Sequence, residues 1–134
     1  MTEAHLSPPK SGVYITFTGN CKKALQFYQQ CFGGQLQLET FNGKLLGLAT
    51  QPVVSGSLHA SQVTIFGSDL VHEEGRIVGN YVAIFLPFTS PDDRQALIEK
   101  LVPHQKPIIE NLPNKQKLIE ITDAFDVKWL LGLV

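Results

Sequence analysis

Four histidines, two cysteines and three tyrosines carry most of the ligating, nucleophilic and proton-transfer chemistry open to this 134-residue chain. Their spacing decides which of that chemistry can be built. His59 falls in a β-patterned run, where an imidazole that titrates near neutrality could act as a polar contact or an acid–base group on a sheet surface. His72 follows in the next run. Reading His59 to Phe66 and Asp69 to Glu74 as a hairpin turning at Gly67-Ser68 sets His59 opposite Arg76 and His72 opposite Val63. The two imidazoles are then about four residues, or ~13 Å, apart, too far for one metal ion. His5 and His104 read as ordinary packed or surface side chains.

Cys21 and Cys31 stand at opposite ends of one helix-patterned segment, ~15 Å apart, whereas a disulfide needs Cα atoms within about 7 Å. With no neighbouring His to lower a thiol pKa, both read as small hydrophobes in a reducing compartment. Tyr14 and Tyr81 open two strand-like runs from which a phenol can point off the sheet, and Trp129 on the last strand could stack on a ligand or fill the core. Glu73, Glu74, Glu110 and Glu120 read as solvated strand ends, with no pair spaced for acid–base partnership. Asp123 and Asp126 flank a turn and read as its caps. The chain has no Gly-x-Gly-x-x-Gly, no Walker A loop, no Gly-x-Ser-x-Gly elbow and no HExxH.

The elements that must position these residues repeat. The run Val13 to Phe17 breaks at Thr18-Gly19-Asn20 and feeds a helix in which Ala24, Leu25, Tyr28, Cys31 and Phe32 share one face, with Asn20 as N-cap and Gly33 or Gly34 as the left-handed stop. Gln35 to Phe41 alternates as a strand, Asn42-Gly43 is a hairpin turn into Lys44 to Ala49, and residues 50 to 57 read as a loop. After the second hairpin, Tyr81 to Leu86 is composed like a central strand. Ser90 and Pro91 then open a helix with Asp92 and Asp93 at its positive end; Leu97, Ile98, Leu101 and Val102 form its apolar face, and Pro103 ends it. Strands near Pro107 to Glu110, Gln116 to Thr122 and Val127 to Leu133 complete the plan. Strand, helix and three strands thus occur twice, a duplication of topology with little residue identity.

The expected fold is α+β: two βαβββ modules, about 13–76 and 77–134 behind a loose lead-in at 1–12, pairing into an eight-stranded curved sheet with helices on the convex side. A small molecule would sit on the concave face. The balance of 11 basic and 12 acidic residues leaves no basic stripe for nucleic acid and no polybasic cluster for a membrane surface. No apolar run reaches the ~20 residues of a spanning helix, and the first ten residues lack a signal peptide's apolar core, so a cytoplasmic protein is expected. The apolar run Leu130 to Val134 suggests an end that a partner covers, and with it a homodimer.

The segments Tyr14 to Gly34, Leu58 to Leu70 and Asp123 to Leu131, in that order and spacing, resemble the PhnB-like branch of the vicinal oxygen chelate superfamily. That superfamily also holds glyoxalase I, extradiol dioxygenases and the fosfomycin and bleomycin resistance proteins. The chain departs from the branch where Phe66-Gly67 replaces a usual Gly-Gly, at Val71-His72-Glu73, and at Asp126, where glycine is usual. Glyoxalase-type members hold a divalent metal with one side chain from the first and last strand of each module. The resemblance lays those positions on Val13, about Tyr81, Leu130, and Val71 or His72. At most one ordinary ligand survives, so no metal and no other cofactor is expected. Members of this branch are sometimes labelled ubiquinone-pathway methyltransferases, but no glycine-rich methyl-donor loop follows the first strand here. With the metal positions lost, the resemblance implies a metal-free protein that binds an unknown small molecule, and the residues read above as candidates to hold it are Tyr14, His59, His72, Tyr81 and Trp129. The alternative is an isomerase or lyase of the superfamily, metal-dependent or not, acting on a small oxygenated metabolite with His59 as acid–base group.

Overall fold

A computed structural model describes residues 11–40, 52–69, 79, 81–103 and 116–134. Its first strand, β1 (Val13–Phe17), alternates so that Val13, Ile15 and Phe17 share one face and Tyr14 and Thr16 the other. Helix α1 (Cys21–Phe32) buries Cys21, Ala24, Leu25, Tyr28 and Cys31 and stops where Gly33 and Gly34 take φ of 73° and 97°, with the Gly33 N–H donating to Gln29 O. Its start differs from expectation. Asn20 occupies the N-cap position, but its side chain makes no cap bond. Asp69 does that work from the end of the neighbouring strand: its Oδ1 accepts from the N–H groups of Gly19 and Cys21 at 2.8 and 3.0 Å, and Oδ2 from that of Val53 at 2.9 Å. A carboxylate satisfies the orphan donors as Asn would, and adds a negative charge at the positive helix end.

Three more strands complete the first sheet: β2 (Gln35–Thr40), β3 (Val53–His59) and β4 (Thr64–Asp69), in the order β1-β4-β3-β2, with β1 parallel to β4. The expected loop over 50–57 is corrected, because most of it is β3. The expected turn at Gly67-Ser68 is also corrected. The chain reverses at 60–63, where the Ala60 N–H donates to Val63 O, and Gly67 pairs with Gly56 inside the sheet. Both glycines lie beneath α1: a Cβ on Gly56 would come 2.7 Å from Leu25 Cδ1, and one on Gly67 would come 3.3 Å from Cys21 Sγ. They mark a close helix approach, which a sequence reading mistakes for a turn.

The second half gives β5 (Ile84–Phe88), α2 (Pro91–Leu101), β6 (Leu118–Thr122) and β7 (Lys128–Leu133), with sheet order β5-β7-β6 and β5 parallel to β7. The strand expected from Tyr81 therefore begins three residues later. Register with β7 buries Leu86 and Phe88 and leaves Tyr81 ahead of the sheet, and Pro87 is tolerated because, among the described residues, β5 pairs with β7 alone. Helix α2 starts as expected, with Ser90 Oγ accepting from the Asp93 N–H and Pro91 in the first turn. The end at Leu130 to Val134 is not a loose apolar tail: β7 is the central strand of its sheet and Leu131 is fully buried. The strands expected at 44–49 and 107–110, and all but the first residue of 69–74, lie outside the described residues.

One core joins the halves. Tyr28 and Phe27 of α1 pack on Phe125 at 5.9 and 5.6 Å, and Trp129 of β7 lies between Tyr28 and Phe32 at 5.7 and 5.3 Å. Each such ring pair adds about 0.5–1.5 kcal/mol beyond its buried area.

Candidate functional site

The two sheets present β1 and β5 as facing edges, and a cavity of about 380 Å³ opens along that seam. Val13, Tyr14 and Thr16 line one wall, Tyr81, Val82 and Ile84 the other, and Asp126 and Lys128 close one end. The size falls in the range of small-molecule sites. A second cavity, of about 400 Å³, continues past Val13 and Ile84 to the turn at 60–63.

The faces that flank the seam differ in chemistry. Away from the helices, the first sheet shows Tyr14, Thr16, Ser57, His59, Thr64, Phe66 and Ser68, with Gln35 and Gln37 paired beside His59 and Ser57. It is a hydroxyl- and amide-rich surface, and the Tyr14 hydroxyl donates to Ser68 Oγ at 2.7 Å. On the second sheet the corresponding face carries Phe85, Leu118 and Leu130 at one end and Glu120, Thr122 and Lys128 beside them, with the Phe85 ring lying over Gly132. Phe85 and Leu118 are half exposed, at 50% and 51%.

The structure brings Tyr14 and Tyr81 together on the seam cavity, although Tyr81 is 91% exposed and not on a strand. His59 lies on the same face as Tyr14 but two strands away, its ring edge-on to Phe66 at 5.8 Å and its backbone paired with Thr64. The pairing of His59 with Arg76 and of His72 with Val63 falls with the misplaced turn, and His72 itself lies outside the described residues. Trp129 is corrected: it is fully buried on the helix side, its indole N–H donating to Asp123 Oδ2 at 2.9 Å, so no ring face is left for a ligand.

That carboxylate is the polar centre of the core. Asp123 Oδ2 also accepts from the Tyr28 hydroxyl at 2.6 Å, and Oδ1 accepts from the N–H groups of Phe125 and Val127 at 2.8 and 3.1 Å. The cap role read from sequence is real, but the bonds to Tyr28 and Trp129 were not legible there, because they join residues 95 and 6 positions apart in the chain. Both thiols are inert near neutrality. Burial, aided by the Asp69 charge, pushes the Cys21 thiol up to about 12; burial pushes that of Cys31 up to about 11, with Lys100 opposing and Asp123 adding.

A four-ligand metal site does not fit the residues described. Val13 and Leu130 are hydrocarbon, and they do not share a face: Val13 and Ile84 lie on the helix side of their strands, Ile84 paired with the buried Trp129, whereas Leu130 lies on the opposite side. Among the described residues no three His, Cys, Asp or Glu side chains come together. No helix among them is long and apolar enough to cross a membrane.

No family model matches the chain, and no curated protein sequence matches it. Solved structures share its fold. Protein PA1353 from Pseudomonas aeruginosa is 21% identical with a TM-score of 0.69, the match covering 94% of this chain and 98% of that one. A putative 3-demethylubiquinone-9 3-methyltransferase, PhnB protein, from Bacillus cereus is 15% identical with a TM-score of 0.68, covering 94% of this chain and 100% of that one. The fosfomycin resistance protein FosX from Listeria monocytogenes, complexed with Mn(II) and sulfate, is 12% identical with a TM-score of 0.56, covering 96% and 94%. The fold is therefore that of the vicinal oxygen chelate superfamily, the α+β glyoxalase/bleomycin resistance fold that the resemblance to the PhnB-like branch implied.

Proposed function

We propose that this chain is a metal-free small-molecule-binding protein whose ligand lies in the seam between its two modules. The observation that carries the reading is the 380 Å³ cavity walled by β1 and residues 81–84, with a hydroxyl-rich face on one side and a face of apolar and charged groups on the other. Such a groove suits a molecule with an apolar body and a polar edge, and among the described residues no three His, Cys, Asp or Glu side chains come together to hold a metal. The half-exposed Phe85 and Leu118 support pairing with a second copy as a homodimer, which sedimentation velocity tests.

An enzyme using His59 is the second reading, favoured by the placement of that imidazole on the ligand-facing side of the first sheet. Metal titration and one substitution separate the two. Equilibrium dialysis of tag-free protein against Mn(II), Ni(II), Co(II) and Zn(II) is expected to give no stoichiometric uptake, and one bound metal per chain would defeat the metal-free reading. His59→Ala is expected to weaken ligand binding only a few-fold; a loss of turnover by orders of magnitude would establish the enzyme.

A further inference from the structure

The two cavities that meet at Val13 and Ile84 change character along their length. At the end nearest the 60–63 turn the walls are Ser11, Ser61, Gln62 and Thr64, whose hydroxyl and amide groups offer both donors and acceptors without charge. In the middle, Val13 and Ile84 border both cavities, so the waist is hydrocarbon. Both side chains are only partly buried, which leaves apolar surface that a ligand can cover. Past the waist polar groups return. The Tyr14 hydroxyl, already donating to Ser68 Oγ at 2.7 Å, keeps a lone pair to accept with, and the Lys128 ammonium brings donors. From Ser11 to Thr16 the walls follow near-extended chain for ~17 Å at about 3.3 Å a residue.

We infer that the two cavities form one channel between the modules, and that it takes an elongated molecule with a hydrocarbon middle and a hydrogen-bonding oxygen at each end. Each cavity alone has the volume of a small-molecule site, about 380 and 400 Å³, but a compact ligand held in either one would leave half of the apolar waist against water. A chain lying across Val13 and Ile84 covers that surface and brings its ends to Ser61 and Gln62 on one side and to Tyr14 and Lys128 on the other. The inference rests on the seam reading above and adds the shape and polarity of the ligand to it.

Amide-shift titrations of ¹⁵N-labelled protein with 1,4-butanediol, 1,8-octanediol and 1-octanol test it, repeated on Val13→Phe and Ile84→Phe, whose larger side chains fill the waist. In the wild type 1,8-octanediol should shift the amides of Thr16 and Ser61 together, with one dissociation constant, and bind at least tenfold more tightly than 1,4-butanediol, because its additional methylenes lie on the waist. It should also outbind 1-octanol, which brings a methyl group to one of the polar ends. Both variants, with wild-type folding verified by their amide spectra, should bind the octanediol at least fivefold more weakly. Octanediol shifts confined to Thr16 or to Ser61, or equal affinity for the two diols, would overturn the channel while leaving the seam as a site. Tighter binding of 1-octanol would overturn the polar ends, and unchanged octanediol affinity in both variants would overturn the waist. Shifts gathered at Phe85 and Leu118 would place the chain on the apolar patch and overturn the inference. If no probe moved a seam amide at all, the seam reading itself would fall.

Discussion

The two modules share strand order, parallel pairing of first and last strands and a helix on the same side, yet the faces they turn away from the helices differ in kind. The first shows Tyr14, Thr16, Ser57, His59, Thr64 and Ser68, hydroxyl-rich and without an Asp, Glu, Lys or Arg among them; the second shows Phe85, Leu118 and Leu130 next to the charged Glu120 and Lys128. Their hidden polar groups differ as well. Asp69 ties backbone to backbone within the first module, whereas Asp123 reaches across to Tyr28 of α1. A fold constrains the helix side of each sheet through packing and leaves the other side free to diverge, so ligand chemistry can be divided between halves of similar strand order.

The sharpest break of that comparison is at the carboxylates. Asp123→Ala leaves the Tyr28 hydroxyl and Trp129 indole N–H buried without their acceptor and should cost about 4 kcal/mol in urea unfolding, with loss of near-UV aromatic signal. Asp69→Ala removes an acceptor from three backbone N–H groups and should cost about 2–3 kcal/mol; a larger loss there would reverse the order of the two modules. The glycines give the next contrast. Gly67→Ala pushes a methyl toward Ile15 O and the Phe17 ring and should cost about 2 kcal/mol, while Gly132→Ala meets the half-exposed Phe85 ring, which can swing away, and should cost under about 1 kcal/mol. Equal costs would mean that the outer faces are packed as firmly as the core.

A smaller effect separates the outer faces themselves. Phe85→Ser should change stability by no more than about 0.5 kcal/mol, yet weaken binding of an apolar fluorescent dye several-fold, whereas Ser57→Ala should leave dye binding unchanged. A last effect is alkaline. The folded thiols sit at about 12 and about 11, above the ordinary 9.0, so the unfolded chain loses its thiol protons first. Stability is then full below about pH 9 and falls as pH rises toward 11, a shift visible as a lower urea midpoint at pH 10 than at pH 8. Cys21→Ala with Cys31→Ala should flatten that slope.

Much of the scaffold was legible in the sequence. The alternation of β1, the apolar stripe of α1, the Gly33-Gly34 stop and the Ser90-Pro91 start each follow from local chemistry, and each is in the structure. What misled were residues whose role is set by distant neighbours. Gly67 looks like a turn until α1 is laid over it, and Tyr81 looks like a strand start until β7 fixes the register of β5. Asn20 looks like the cap until Asp69 arrives from 49 positions further along the chain. The site suffered more than the fold. Tyr14 and Tyr81 do meet at the cavity, but Trp129 belongs to the core, and Asp126, Lys128 and Phe66 carried no periodic signal that would single them out.

The most direct test of the divided seam is a crystallographic soak of the wild-type protein with a set of small aromatic alcohols at high concentration. Bound fragments should lie between β1 and residues 81–84, rings toward Ile84 and Tyr81 and hydroxyls toward Thr16 and Lys128. Fragments gathering instead in the cavity beside Cys31, Ala96 and Lys100, with the seam empty, would contradict the account.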